Sequence, residues 1–324
     1  MAVTRLVVLA LLALAVSSCH AAGWTHQHGA DHPFAGAIVD LRSQRVIDEA
    51  ALLAALESAD IVLLGETHDN RDHHLLQARL VGALGSSVNG VVFEMIDTDH
   101  QQAVIEYLQE HPRDTAGLGP AIGWNESGWP EWSMYEPVAA AALAVDAQIV
   151  AGTLPREAVE GLLADGTKGL DPALAERTGL TEPLEPMLEA NMLKTISEAH
   201  CGLTPAERLP AMLLVQRGQD AMMADRLAAI RGRNKSVLIA GSGHVRRDWG
   251  VPLYLRRSAP GLRVLSVAFV EIDPELEALP IDLPYDFVWF TTRRQPYGFD
   301  PCKAFREQLQ QIEARATGLP PRVG

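Results

Sequence analysis

The chain has 324 residues, 27 of them Lys or Arg and 41 Asp or Glu, which leaves a formal charge of −14 with histidine neutral. With 48% hydrophobic and 21% charged residues it is neither disordered nor fibrous, and it is long enough to bury a full core. The acidic balance argues against nucleic acid or an anionic membrane face as a direct partner, and three cysteines without CxxC spacing exclude a disulfide scaffold, a CxxC zinc site and a CxxCH attachment.

Arg5 precedes the uncharged run 6–16, which has the length of a signal-peptide apolar region and is short for a bilayer span. Val16-Ser17-Ser18-Cys19 then follows the pattern of a bacterial lipobox, in which Cys19 is acylated and becomes the first residue. The alternative is ordinary cleavage near Ala21 or Ala22, which releases a soluble protein. Either route exports the chain. Residues 1–18 are therefore expected to be an address, and residues 19–36, with His20, His26, His28 and His32, a flexible tether. In an oxidising compartment Cys201 and Cys302 either pair or remain two separate buried thiols.

Ile61-Val62-Leu63-Leu64, closed by Gly65, reads as a buried strand. Residues 73–84 place Leu76, Leu80 and Leu84 on one helical face. Strand 90–93, helix 101–109, helix 137–145 and strand 148–151 follow. After residue 156 the spacing predicts helices only, divided by Pro172, Pro183, Pro186, Pro205 and Pro210, up to residue 233. Strands return at 236–240, 263–272 and 287–290, and a helix at about 303–315 ends the pattern. The alternation predicts an α/β fold with a largely parallel sheet flanked by helices. Residues 37–155 and 234–324 form the sheet domain in this reading, and residues 156–233 an inserted helical subdomain.

Ligand sites in such sheets form beyond the carboxyl ends of the strands. Three strands here end in ionisable residues: Gly65-Glu66-Thr67-His68-Asp69-Asn70, Phe93-Glu94, and Gly241-Ser242-Gly243-His244-Val245-Arg246-Arg247. Glu66, His68, Glu94 and His244 would then meet at one edge, a set suited to general acid/base work. Glu66, His68 and His244 would equally suit a divalent metal such as Mn, Co or Zn. Any one of these residues alone reads as a cap or turn; the coincidence at three strand ends carries the expectation. HExxH, P-loop, GxGxxG and GxSxG patterns are absent. The helix over 206–231 carries Met212, Gln216, Gln219 and Met223 on one face, which either looks into the site or pads the core. The aromatic segment 128–135 is either a lid or a packed loop.

GETHDN with His73-His74, Phe93-Glu94, Tyr135-Glu136-Pro137, Ala199-His200-Cys201-Gly202, and the run from Gly241 to Asp248 with Gly250-Val251-Pro252 occur in that order. Together they resemble the ChaN-like haem-binding lipoprotein family of the Tiki/erythromycin-esterase superfamily. The resemblance implies a sheet domain with a helical subdomain, an outer-membrane lipoprotein facing the periplasm, and haem binding linked to iron uptake. A homodimer is a candidate assembly. Tyr135 is the first candidate axial ligand, with His68, His74 and His244 as others, and Arg246 and Arg247 as cations for the propionates. The superfamily also implies hydrolysis, metal-dependent or metal-free, at the residues matching Glu66, His68, Glu94 and His244. One departure stands out: Gln219-Asp220-Ala221 replaces the family's frequent Arg-Asp-Ala, so Arg246 or Arg247 would have to substitute.

Overall fold

The structure is a computed structural model that describes residues 23–232 and 234–317. The leader and Cys19 lie outside the described residues. Eight strands form one sheet in the order β2-β1-β8-β7-β3-β6-β4-β5. These are β1 (Ile38–Asp40), β2 (Arg45–Ile47), β3 (Ile61–Glu66), β4 (Val88–Asp97), β5 (Gln148–Thr153), β6 (Lys235–Gly241), β7 (Val264–Glu271) and β8 (Phe287–Thr291). From β8 through β5 every pairing is parallel. The β1–β2 hairpin closes the other side antiparallel, with β1 also antiparallel to β8.

The helices are α1 (Glu49–Glu57), α2 (Arg71–Leu84), α3 (Gln101–Glu110), α4 (Leu118–Ala121), α5 (Trp132–Ala144), α6 (Arg156–Asp165), α7 (Pro172–Thr178), α8 (Pro186–Ala199), α9 (Leu209–Ile230), α10 (Val251–Ser258) and α11 (Pro301–Thr317). The strands are apolar on both faces because helices cover both, as parallel sheets require. Successive residues of β3 alternate between two cores. Val62 and Leu64 pack with Leu80, Phe93, Tyr135 and Val138 on the side of α2 and α5. Ile61 and Leu63 pack with Val92, Leu238, Ala221 and Leu227 on the side of α9.

Two expectations change. Residues 156–233 are helical among the described residues, but they are no separate subdomain. Leu162, Leu170, Leu174 and Leu180 share one core with the sheet, and the Arg226 guanidinium donates to the Ala151 carbonyl at 3.3 Å. The insertion is the long crossover that returns the chain from β5 to β6. Residues 23–36 are not a loose tether either. Asp72, in the first turn of α2, accepts from Thr25 N at 2.8 Å, Thr25 Oγ1 at 2.6 Å, His26 N at 3.1 Å and Thr292 Oγ1 at 2.8 Å. His28 makes a bridge to Arg293, and Gly36 N donates to the Phe290 carbonyl at 2.9 Å. Gly29 sits at φ +81°, and a Cβ there would lie 2.3 Å from Ile272 Cγ2, so only glycine lets this strap close. Cys201 and Cys302 are bonded, with Cα atoms 5.4 Å apart, which ties the turn after α8 to the start of α11.

Candidate functional site

The sheet order explains how separate strand ends converge. β3, β6 and β4 are adjacent, and Glu66 pairs in register with Gly241. Glu66 continues the β3 positions that face α2 and α5. Glu94 follows Phe93 on β4 and so faces the opposite layer, toward α9. His68, just past β3, lies across the end of the sheet between the two carboxylates.

The outcome is an alternating row of acids and imidazoles. His74 Nε2 lies 3.2 Å from Glu66 Oε2, and Glu66 Oε1 lies 3.0 Å from His68 Nδ1. His68 Nε2 is 3.8 Å from Glu94 Oε1, which is 3.2 Å from His244 Nε2. His244 Nδ1 reaches Asp220 Oδ1 on α9 at 2.6 Å. Tyr135 donates its hydroxyl to Glu66 Oε1 at 2.8 Å, and Gly241 N–H donates to Glu94 Oε2 at 2.7 Å. The Gln216 amide meets His244 Nδ1 at 3.0 Å. A Cβ on Gly241 would lie 2.8 Å from His68 Nε2, so this glycine makes the notch into which that nitrogen points.

The row is buried except at His68, whose side chain is 33% exposed and whose ring leans on Trp129 with centroids 4.8 Å apart. Burial alone would raise Glu66, but the imidazoles of His74 and His68 outweigh it and hold the carboxyl well below the usual range. Glu94 is likewise pushed up by burial and pulled down further by His244 and His68, to about 2. Burial lowers His244 while Glu94 and Asp220 raise it, and the carboxylates win, leaving it well above an ordinary histidine. His68 is raised on the same terms by Glu66 and Glu94. Burial raises Asp220 despite His244. Opposite charges within hydrogen-bonding reach explain the directions at Glu66, Glu94, His68 and His244, and desolvation explains that at Asp220.

The four strand-end residues Glu66, His68, Glu94 and His244 are thus brought into one row. The metal set is not assembled: among the described residues no group of three or more His, Cys, Asp or Glu is disposed to hold an ion. The side chains of Glu66 and Glu94 face opposite layers, with His68 between them and His244 between Glu94 and Asp220. Tyr135 is fully buried, with its ring 4.3 Å from that of His74. Burial and then Glu66 push its hydroxyl far above the ordinary tyrosine range, which opposes a tyrosinate ligand. His74 is also fully buried and His244 is 7% exposed. Tyr135, His74 and His244 therefore do not present an axial ligand to a large planar cofactor. Arg246 pairs with Asp248 through Nε at 3.0 Å and an NH2 group at 2.7 Å and stacks on Trp249, while Arg247 pairs with Asp286 at 3.3 Å. Neither arginine takes the place of an arginine at 219. Asp220 was missed as a site residue. Its signal was present in the i, i+4 relation of Gln216 to Asp220 on an otherwise apolar helix face.

The fold and site define an α/β protein of three layers, helix–sheet–helix, with a histidine–carboxylate row at the carboxyl edge of a mostly parallel sheet. The family model for haem-binding uptake proteins of the Tiki superfamily, ChaN, matches residues 52–255, and the chain belongs to this family. ChaN of Campylobacter jejuni, a structure of cofacial haem binding, is similar with a TM-score of 0.59 at 21% identity, over 78% of this chain and 95% of that one. The type III effector HopBA1 gives a TM-score of 0.41 at 14% identity, over 75% and 92% of the two chains. An erythromycin esterase, EreC, in its open conformation gives 0.42 at 16% identity, over 88% and 87%. Among curated proteins no sequence matches this chain.

Proposed function

We propose that this protein binds haem on the carboxyl edge of its sheet, as an exported lipoprotein of haem and iron uptake anchored through Cys19. Family membership across residues 52–255 carries this reading. His68 is the ligand the site favours. Among the family-suggested histidines and tyrosine it alone is substantially exposed, and a buried carboxylate holds its Nδ1 at 3.0 Å. Such backing fixes the tautomer and leaves Nε2 as the donor to iron, which requires the part-exposed ring to turn that nitrogen from the Gly241 notch toward the open rim. Trp129 supplies an apolar wall beside it. Two cavities of about 620 and 610 Å³ lie away from the row, against α6 and between α9 and α10 respectively. A haem held by the part-exposed His68 would lie at the rim beside Trp129, an arrangement compatible with the cofacial haem binding described for the Campylobacter jejuni protein.

Titration with hemin tests this. A saturable Soret shift that is lost in His68→Ala and kept in Tyr135→Phe is expected. Weak, unsaturable binding, or wild-type binding by His68→Ala, defeats it.

One observation favours a second activity at the same place. His68 Nε2 points into the Gly241 notch beside Glu94, with His244 and Asp220 behind. A histidine–carboxylate row with one solvent-open imidazole is suited to general acid/base work, which favours a hydrolase of esterase or peptidase type. A screen of ester and peptide substrates, with chelator and with added Mn²⁺ or Co²⁺, separates metal-free from metal-dependent turnover. Activity that survives in both His244→Ala and Glu66→Ala removes the assignment.

A further inference from the structure

The strap and the segment after β8 share the edge that carries His68. Thr25 and His26 are held by Asp72, four residues beyond His68, and His28 bridges Arg293. β8 is parallel to β7 and β7 to β3, so the residues that follow β8 emerge at the same carboxyl edge. Residues 293–299 read Arg-Arg-Gln-Pro-Tyr-Gly-Phe. Tyr297 is 46% and Phe299 39% exposed; among the described residues these are the large aromatics left open to solvent, and both fall in this one segment. Cys19 stands six residues before Thr25, so an acyl chain on it has a tether of at most about 20 Å from the pinned strap.

A tyrosine ring with its polar tip, flanked by arginine, favours the headgroup region of a membrane, and the wholly apolar Phe299 adds area for the acyl boundary beneath it. Arg293 lies 6.0 Å above the Tyr297 ring, and Arg294 pairs with Asp69. Asp31 and Asp300 are exposed nearby, so attraction to anionic lipid is not what seats this surface. The short tether and the aromatic pair are.

We propose that the carboxyl edge of the sheet lies against a lipid bilayer, with Tyr297 and Phe299 in the headgroup interface and the rim of His68 open toward the membrane. This rests on the lipid-anchor and haem readings above. Haem has an apolar ring and two anionic propionates, so it collects at such an interface, and the bilayer becomes the phase that delivers it.

The test uses the full chain, purified from the envelope and reconstituted on vesicles of phosphatidylethanolamine and phosphatidylglycerol. Its mass first reports whether Cys19 is acylated. Hydrogen exchange is then compared on and off the vesicles. Severalfold slower exchange over residues 293–299, unchanged exchange at the opposite edge around residues 259–263, and loss of the slowing in the acylated Tyr297→Ser, Phe299→Ser double variant are expected. An unacylated chain overturns the anchor and the proposal with it. An acylated chain protected at the opposite edge, or nowhere, overturns the orientation alone, while hemin titration in solution still judges the haem reading.

Discussion

Glu94→Gln replaces the central anion of the row with a neutral side chain of the same shape. The amide oxygen can still accept from Gly241 N–H, so the perturbation removes the charge and replaces the acceptor facing His244 and His68 with an NH2 group. The wild-type carboxyl is held at about 2 against an ordinary 4.5. That difference corresponds to about 3 kcal/mol of folding stability near neutral pH. The stabilisation of a depressed carboxylate is present above 4.5 and fades as pH falls through the folded value, so the deficit of the variant should shrink to under about 1 kcal/mol near pH 2.5. Urea unfolding of both proteins, followed by far-UV circular dichroism at about pH 6 and about pH 2.5, measures this directly. His244 also loses one of the two carboxylates that raise it, so its NMR titration should move down in the variant. A deficit under about 1 kcal/mol near neutral pH, or one of equal size at both pH values, refutes the charge-row argument.

The wild-type thermal midpoint should be highest near pH 6.5, because buried His73, lowered to about 3, takes stability away as pH falls below 6.5. His244 and His68 are raised by folding, so their contribution is complete below 6.5 and is lost as pH rises through their folded values. A midpoint that climbs steadily above pH 6.5 contradicts this. Gly241→Ala should displace His68, because the new Cβ falls 2.8 Å from Nε2. A cost of about 1–3 kcal/mol and an altered hemin spectrum are expected, and an unchanged spectrum in the folded variant counts against His68. Asp72→Ala removes the acceptor for Thr25, His26 and Thr292. Limited proteolysis should then cut within residues 23–36 well before the domain unfolds, and equal resistance would show that other contacts hold the strap.

Much of the architecture was legible because parallel strands buried on both faces leave plain apolar runs. Residues 61–64, 90–93, 148–151, 236–240 and 287–290 all lie within strands. The β1–β2 hairpin was not, since three residues per strand leave too short a pattern and β2 is largely exposed. Strand ends announced Glu66, His68, Glu94 and His244 because ionisable residues break apolar runs there. Which face each would take was not legible. The opposite phases of Glu66 and Glu94 follow from the order of strands, which a local pattern does not encode. For the same reason Tyr135 read as an accessible ligand, whereas packing of α5 on α2 buries it against Glu66. The strap looked like a tether because Gly23, Gly29 and Pro33 suggest disorder, and its partner Asp72 lies far along the chain.

The bond between Cys201 and Cys302 joins residues 101 apart, and every strand from β6 to β8 lies between them. A loop of that size removes on the order of 4–5 kcal/mol of entropy from the unfolded chain once it is closed, in the chain-entropy account. The order of events is constrained more than the final stability. The crossover helices cannot be locked until the last third of the chain has found its place in the sheet. The same bond then acts as a late check, since chains that placed β7 or β8 wrongly would leave two thiols apart and free to be recognised.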